Sequence, residues 1–194
     1  MPTVLNARER AKIAYHRWTV EDYHRMAKAG LLDATDRVEL IEGEMIDMAP
    51  IGSRHAFIVN RMSQAFSAGV GGRCLVSTQN PVRLGVRSEP QPDIALLKGG
   101  NYMDDLPTAA DVLLIVEVSD ATLEYDRDVK LALYARHGIP EVWLVDVNAR
   151  ELTVCHEPAE YRYRLIRKPA AAEAITPAAV AGVAIALADV FSER

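Results

Sequence analysis

Glu117 stands inside Leu113-Leu114-Ile115-Val116-Glu117-Val118, an unbroken apolar run that predicts a central strand covered on both faces. A lone ionised carboxylate in such a strand is costly unless it is paired, hydrogen-bonded or bound to a metal. Strand alternation puts Ile115, Glu117 and Ser119 on one face, so something must meet Glu117 there. Asp93 opens a second apolar strand, Ile94–Leu97, behind Pro90 and Pro92. An Asp that closes a turn is the plain alternative for that position. Lys130 is the third such residue. Asp126, Lys130 and Tyr134 recur every four residues on the helix that follows Glu117 and share one face. A surface Asp126–Lys130 ion pair, contributing about 0.3–0.5 kcal/mol, is the plain reading of that spacing. Against it, Leu123, Leu131, Leu133 and Tyr134 must also be buried, which would set the helix against the sheet beside Glu117.

Two carboxylates on adjacent strands with a lysine in reach make a site for a hard cation and its water. Mg²⁺, or Mn²⁺ in its place, takes one or two protein carboxylates and keeps several waters. Such an ion polarises a phosphoryl oxygen and acidifies a water, and a lysine can orient that water or stabilise developing charge. The chemistry is phosphodiester hydrolysis, with Asp93, Glu117 and Lys130 as the catalytic candidates.

The elements that must position these residues can be read in order. Thr19 with Asp22 three residues later resembles a capping box, opening a short helix that stops at Gly30. VELIEGEMIDM reads as a hairpin turning at Glu42-Gly43. Ser53 is the expected cap of a second, amphipathic helix running to about Ser67, with Gly69, Gly71 and Gly72 ending it. Strands are expected around Cys74–Val76, Val82–Leu84 and Ile94–Leu97. VLLIVEV follows Asp111, and a helix from about Leu123 to His137 leads to EVWLVDV. The strand-helix-strand unit at 112–146 implies a right-handed crossover. ELTVCHE and Tyr161–Ile166 supply further strands, and the alanine-rich tail an extended piece and a short helix. No repeat or linker interrupts the chain, so the expectation is one α/β or α+β domain spanning 1–194.

The 194 residues, 49% hydrophobic and 25% charged, suit a globular chain with a sizeable core. Two cysteines, Cys74 and Cys155, are too few for a disulfide framework and read as reduced thiols. The start lacks the apolar core of an export signal. The C-terminal apolar stretch is broken by Pro177, Gly182 and Asp189, so no membrane span and a cytoplasmic location are expected. The formal charge of −5 counts against a dedicated nucleic-acid binder. Its distribution is uneven, however. Residues 51–90 hold five arginines (Arg54, Arg61, Arg73, Arg83, Arg87) against Glu89 alone, so a local positive face and scattered solvated arginines are both open. Cys155 and His156 are adjacent on a strand and point to opposite faces, which disfavours zinc. No glycine-rich phosphate loop and no nucleophile elbow is present, which excludes the common nucleotide cofactors and serine or cysteine hydrolases of that type.

The succession VELIEGEMIDMAP, His55, PQPDIALL, LLIVEVSDAT, Asp126-Arg127-Asp128-Val129-Lys130, Tyr134 and HGIPEVWLVDV resembles the Uma family. That family belongs to the PD-(D/E)xK restriction-endonuclease-like nuclease superfamily. The resemblance runs from about Trp18 to Val154 and implies a central mixed sheet flanked by helices. It implies Asp93 as the first metal-binding acid, Glu117 as the second, and the Val118 carbonyl as a further ligand. Ser119 stands where the superfamily motif has lysine. In this family the lysine appears on the following helix, here Lys130. Glu39 becomes a candidate supporting acid, or a solvated hairpin residue, and His55 a candidate substrate contact, or a structural helix-start histidine. The implied activity is a Mg²⁺-dependent endonuclease on DNA, working as a homodimer because cutting both strands takes two sites. The alternative is a catalytically inactive scaffold of the same fold that binds nucleic acid or a protein partner.

Overall fold

The computed structural model describes residues 15–33 and 35–192. Helix α1, Val20–Lys28, is opened by the expected capping box: Asp22 N–H donates to Thr19 Oγ1 at 3.1 Å, and Thr19 N–H donates to Asp22 Oδ2 at 3.0 Å. Strands β1 (Val38–Ile41) and β2 (Glu44–Asp47) pair antiparallel. Their two-residue turn has Glu42 at φ 50° and Gly43 at φ 81°, the left-handed pair that matches strand twist. Gly43 is required twice over, since a Cβ there would meet Arg17 Cβ at 2.8 Å.

Helix α2, Ser53–Val70, departs from expectation at both ends. Its N-cap is Gly52, which has no side chain to offer, and Ser53 is already helical. The helix also runs past Ser67 through Gly69, where the Val183 methyls would lie 3.1 Å from an added Cβ, and ends at left-handed Gly71. Gly69 is therefore a packing glycine rather than a stop.

Six strands form the main sheet: β3 (Leu75–Thr78), β4 (Ile94–Leu97), β5 (Val112–Ser119), β6 (Glu141–Asp146), β7 (Glu151–Ala159) and β8 (Arg162–Arg167). They lie in chain order, all antiparallel except β5 and β6, which are parallel. Helix α3 makes the connection between these two in three continuous segments: Leu123–Tyr125, a widened turn over Asp126–Lys130, and Leu131–Arg136. In the widened turn the Leu131 N–H reaches Asp126 O, five residues back. The tail adds a small ladder of β9 (Ala174–Ile175) with β10 (Ile185–Ala186), then helix α4 (Leu187–Val190).

The strand expected at Val82–Leu84 is absent. The segment makes one isolated bridge, Arg83 with Thr108, and then turns at Gly85 (φ 71°), with Leu84 N–H on Ser88 O. Val82 and Leu84 are nevertheless fully buried, so their alternation records burial and not ladder pairing.

Alternation divides β5 between two cores. Leu114, Val116 and Val118 pack under α2 and the tail with Phe66 and Trp143, whose rings lie 5.7 Å apart. Ile115 packs under α3 with Leu84, Leu133 and Tyr134, and Glu117 shares this face. Among the described residues no helix is long and apolar enough to cross a membrane. The core assignment gives a stability contrast within one helix. Phe66 is fully buried and Phe57 is 45% exposed. Phe66→Ala is expected to lower unfolding free energy in urea by about 3–5 kcal/mol. Phe57→Ala should shift it by about 0.5 kcal/mol or less.

Candidate functional site

Continuing the β4–β5 register, in which Ile94 pairs with Val116, sets Asp93 opposite Glu117 at the strand ends. The backbone fixes Asp93 firmly: Val118 N–H donates to its Oδ2 at 2.8 Å, and Gln79 N–H donates to its carbonyl at 3.0 Å. His55 Nε2, from the first turn of α2, lies 3.0 Å from the same carboxylate, and Gln79 Nε2 donates to Oδ1 at 3.3 Å.

Glu117 is 3% exposed. The Tyr134 hydroxyl donates to its Oε1, and Lys130 Nζ lies 3.4 Å from that atom. Lys130 Nζ also lies 3.2 Å from Glu39 Oε2, which accepts the Gln91 N–H at 3.2 Å. Glu39 is thus buried in the site and is not a solvated hairpin residue. Lys130 bridges the two glutamates, one from the β1–β2 hairpin and one from the central strand.

Asp126 does not form the surface ion pair that its spacing allowed. Both it and Lys130 are buried, and among the described residues Asp126 is bonded to hydroxyls instead: Ser119 Oγ at 2.7 Å and Thr122 Oγ1 at 2.6 Å. The widened turn of α3 lies between Asp126 and Lys130, and both side chains face the sheet rather than water. The structure therefore brings Glu39, His55, Asp93, Glu117, Asp126 and Lys130 to one cleft of about 500 Å³, and Val118 lines it with them.

Several members were not legible as site residues. Gln79 carries no sequence signal, and Ser119 was noted only for the missing lysine. Tyr134 was visible as one turn beyond Lys130, but not as the donor to Glu117. Tyr125 lines the cleft with a buried hydroxyl that bonds no atom of the described residues. None of the arginines of 51–90 lines this cleft; among the described residues Arg37 does.

The electrostatics follow from the burial. Burial pushes the Glu117 carboxyl up to about 8; Lys130 opposes this, while Asp126 and Asp93 add to it. Burial alone would lower the Lys130 ammonium, but Glu117, Glu39 and Asp126 outweigh it and hold Lys130 above its ordinary range. The hydrogen bond to Asp93 raises the His55 imidazole, against the effect of burial. Among the described residues, six carboxyl groups line the cleft (Glu39, Asp47, Asp93, Glu117, Asp120, Asp126) against two permanent cations, Arg37 and Lys130, and the titratable His55. Among the described residues no group of three His, Cys, Asp or Glu side chains is arranged to hold a metal by itself.

Lys130 is the counter-charge on which this arrangement depends. Lys130→Met is expected to destabilise the fold by about 3–5 kcal/mol in urea unfolding, because it strands two buried glutamates. Adding Glu117→Gln should recover part of that loss.

The chain was compared with known proteins. A family described as "Uma2: Putative restriction endonuclease" matches residues 20–188. No curated protein matches. Among solved structures, the crystal structure of "a putative nuclease belonging to DUF820" from Anabaena variabilis superposes with a TM-score of 0.70. The two chains are 15% identical, and the match covers 89% of this chain and 97% of the other. At that identity the likeness speaks for the fold alone, a mixed sheet flanked by helices. With a family match over most of its length, the chain belongs to the Uma2 family.

Proposed function

We propose that this protein hydrolyses phosphodiester bonds in DNA with a divalent cation, Mg²⁺ or Mn²⁺, held by Asp93, Glu117 and the Val118 carbonyl. The observation that carries the reading is Glu117. It is a buried carboxylate at the rim of the cleft, pushed up to about 8, facing Asp93 across adjacent strands with one lysine between it and Glu39. Such a site lacks a positive charge, and a hard cation with oxygen ligands supplies one.

The donor set fits that ion. Within a strand the N–H and C=O of one residue point to the same edge, so Val118, whose N–H is on Asp93, turns its carbonyl toward β4 as well. The register sets Pro92 opposite, and proline has no N–H to give it. Two carboxylates and one carbonyl leave the remaining positions of an octahedral ion to water and substrate.

When bound, the ion would polarise a phosphoryl oxygen and make a water more acidic. Lys130, held protonated by Glu117 and Glu39, orients that water and stabilises charge developing on the phosphoryl group; it does not act as a base. Glu39 fixes the ammonium in place. Asp126, bonded to Ser119 and Thr122, fixes the start of α3. His55 and the unpartnered Tyr125 hydroxyl are donors available to a phosphate crossing the cleft. Cutting both strands of a duplex takes two such sites, hence a homodimer on DNA.

Titration calorimetry with Mn²⁺ tests the site. Glu117 must lose its proton to bind the ion, so affinity is expected to rise from pH 6 to pH 8.5, with proton release on binding at the lower pH. Asp93→Asn with Glu117→Gln should abolish binding, and with it the nicking of supercoiled plasmid. Binding that ignores pH and survives both substitutions contradicts the reading. Binding without nicking leaves the non-catalytic scaffold.

A further inference from the structure

A second hollow of about 480 Å³ lies beside the cleft, and the first turn of α2 separates the two. Gly52 and His55 line the cleft, whereas Ser53, Arg54 and Phe57 line the hollow. The lining differs in kind. Its floor is apolar (Ile58, Val147, Val190), its walls are Phe57 and Phe191, and Arg54, Arg150 and Asn148 complete it, with no acidic residue among the described residues that line it. The cleft, by contrast, carries six carboxylates.

Two arginines of the basic stretch 51–90 reappear here. Arg54, Phe57 and Arg61 follow the i, i+3, i+7 spacing of one face of α2, and the Arg61 guanidinium lies 4.9 Å from the centroid of the Phe57 ring. Arg61 also holds the tail by donating to Ser192 O at 2.8 Å and to Asp189 O, and Arg150 donates to Phe191 O. These bonds fix α4 as the far wall. Arg54 is exposed and has no ion-pair partner among the described residues. Phe57, although aromatic, is 45% exposed, and the sheet core does not claim it.

We infer that this hollow holds an unpaired nucleotide of the DNA strand whose backbone crosses the cleft, with the base against Phe57 and Phe191 and its phosphate on Arg54. The inference rests on the nucleic-acid reading of the cleft. An aromatic face and a cation at the rim of an apolar hollow suit a splayed base, because every base has a π-face once it leaves the stack. A duplex keeps its bases stacked and offers phosphates alone. The two cavities also differ in charge: a phosphodiester approaches the carboxylates only with a cation between, while the hollow presents Arg54 to it.

The test is fluorescence anisotropy of the full chain with a short labelled oligo-dT, and with its duplex, in EDTA, so that no cleavage enters the result. The single strand is expected to bind more tightly than the duplex, and more weakly as KCl is raised. Arg54→Gln and Phe57→Ala should each weaken binding about tenfold, Phe57→Tyr should retain it, and none should change Mn²⁺ affinity. Equal binding by the variants, a preference for duplex, or no binding of the single strand overturns the inference. The nuclease reading fails separately, by absence of plasmid nicking, and that result leaves the anisotropy outcome standing.

Discussion

One carboxylate in the middle of the sheet constrains everything around it. Glu117 lies on β5, between β4 and β6, where burial penalises its charge. Three elements answer it. Strand β4 begins so that Asp93 stands opposite, α3 supplies Lys130 and Tyr134, and the β1–β2 hairpin supplies Glu39 on the far side of the lysine. A single ammonium lies between two buried glutamates, and burial, with Asp126 and Asp93 near by, pushes Glu117 up to about 8. Four acidic groups around one lysine are what the proposed cation would offset.

Ser119, two residues beyond Glu117, has a structural task. Ser119 donates to Asp126 and so ties the end of β5 to the beginning of the widened turn in α3. With the helix anchored there, Lys130 approaches Glu117 from across the core rather than from the same strand. The ammonium is delivered by tertiary packing, and its position depends on Asp126, Ser119 and Glu39 together. This also explains why Asp126 and Lys130, four apart on a helix, are not paired with each other.

Much of this was legible in the sequence wherever chemistry conflicted with its surroundings. Glu117 in an apolar run could only be a functional or paired residue, and the Asp126, Lys130, Tyr134 spacing assigned them one face. The hairpin turn at Glu42-Gly43 and the capping box at Thr19 were fixed by local backbone chemistry. What sequence could not supply was long-range: that Glu39 reaches Lys130 across 91 positions, or that Gln79 supports Asp93. Val82–Leu84 misled because burial alone reproduces the alternation of a strand, and Gly69 because a packing glycine reads like a helix stop. The arginines of 51–90 read as a candidate positive face. The structure scatters them, setting Arg54 at the hollow and Arg61 on the tail.

The most direct measurement of the central claim is an anomalous difference map from a crystal of this protein soaked in Mn²⁺. The account predicts a peak between the Asp93 and Glu117 carboxylates, about 2.0–2.3 Å from an oxygen of each and in reach of the Val118 carbonyl. A crystal that binds Mn²⁺ elsewhere and leaves both carboxylates on their Val118 and Tyr134 donors would contradict it.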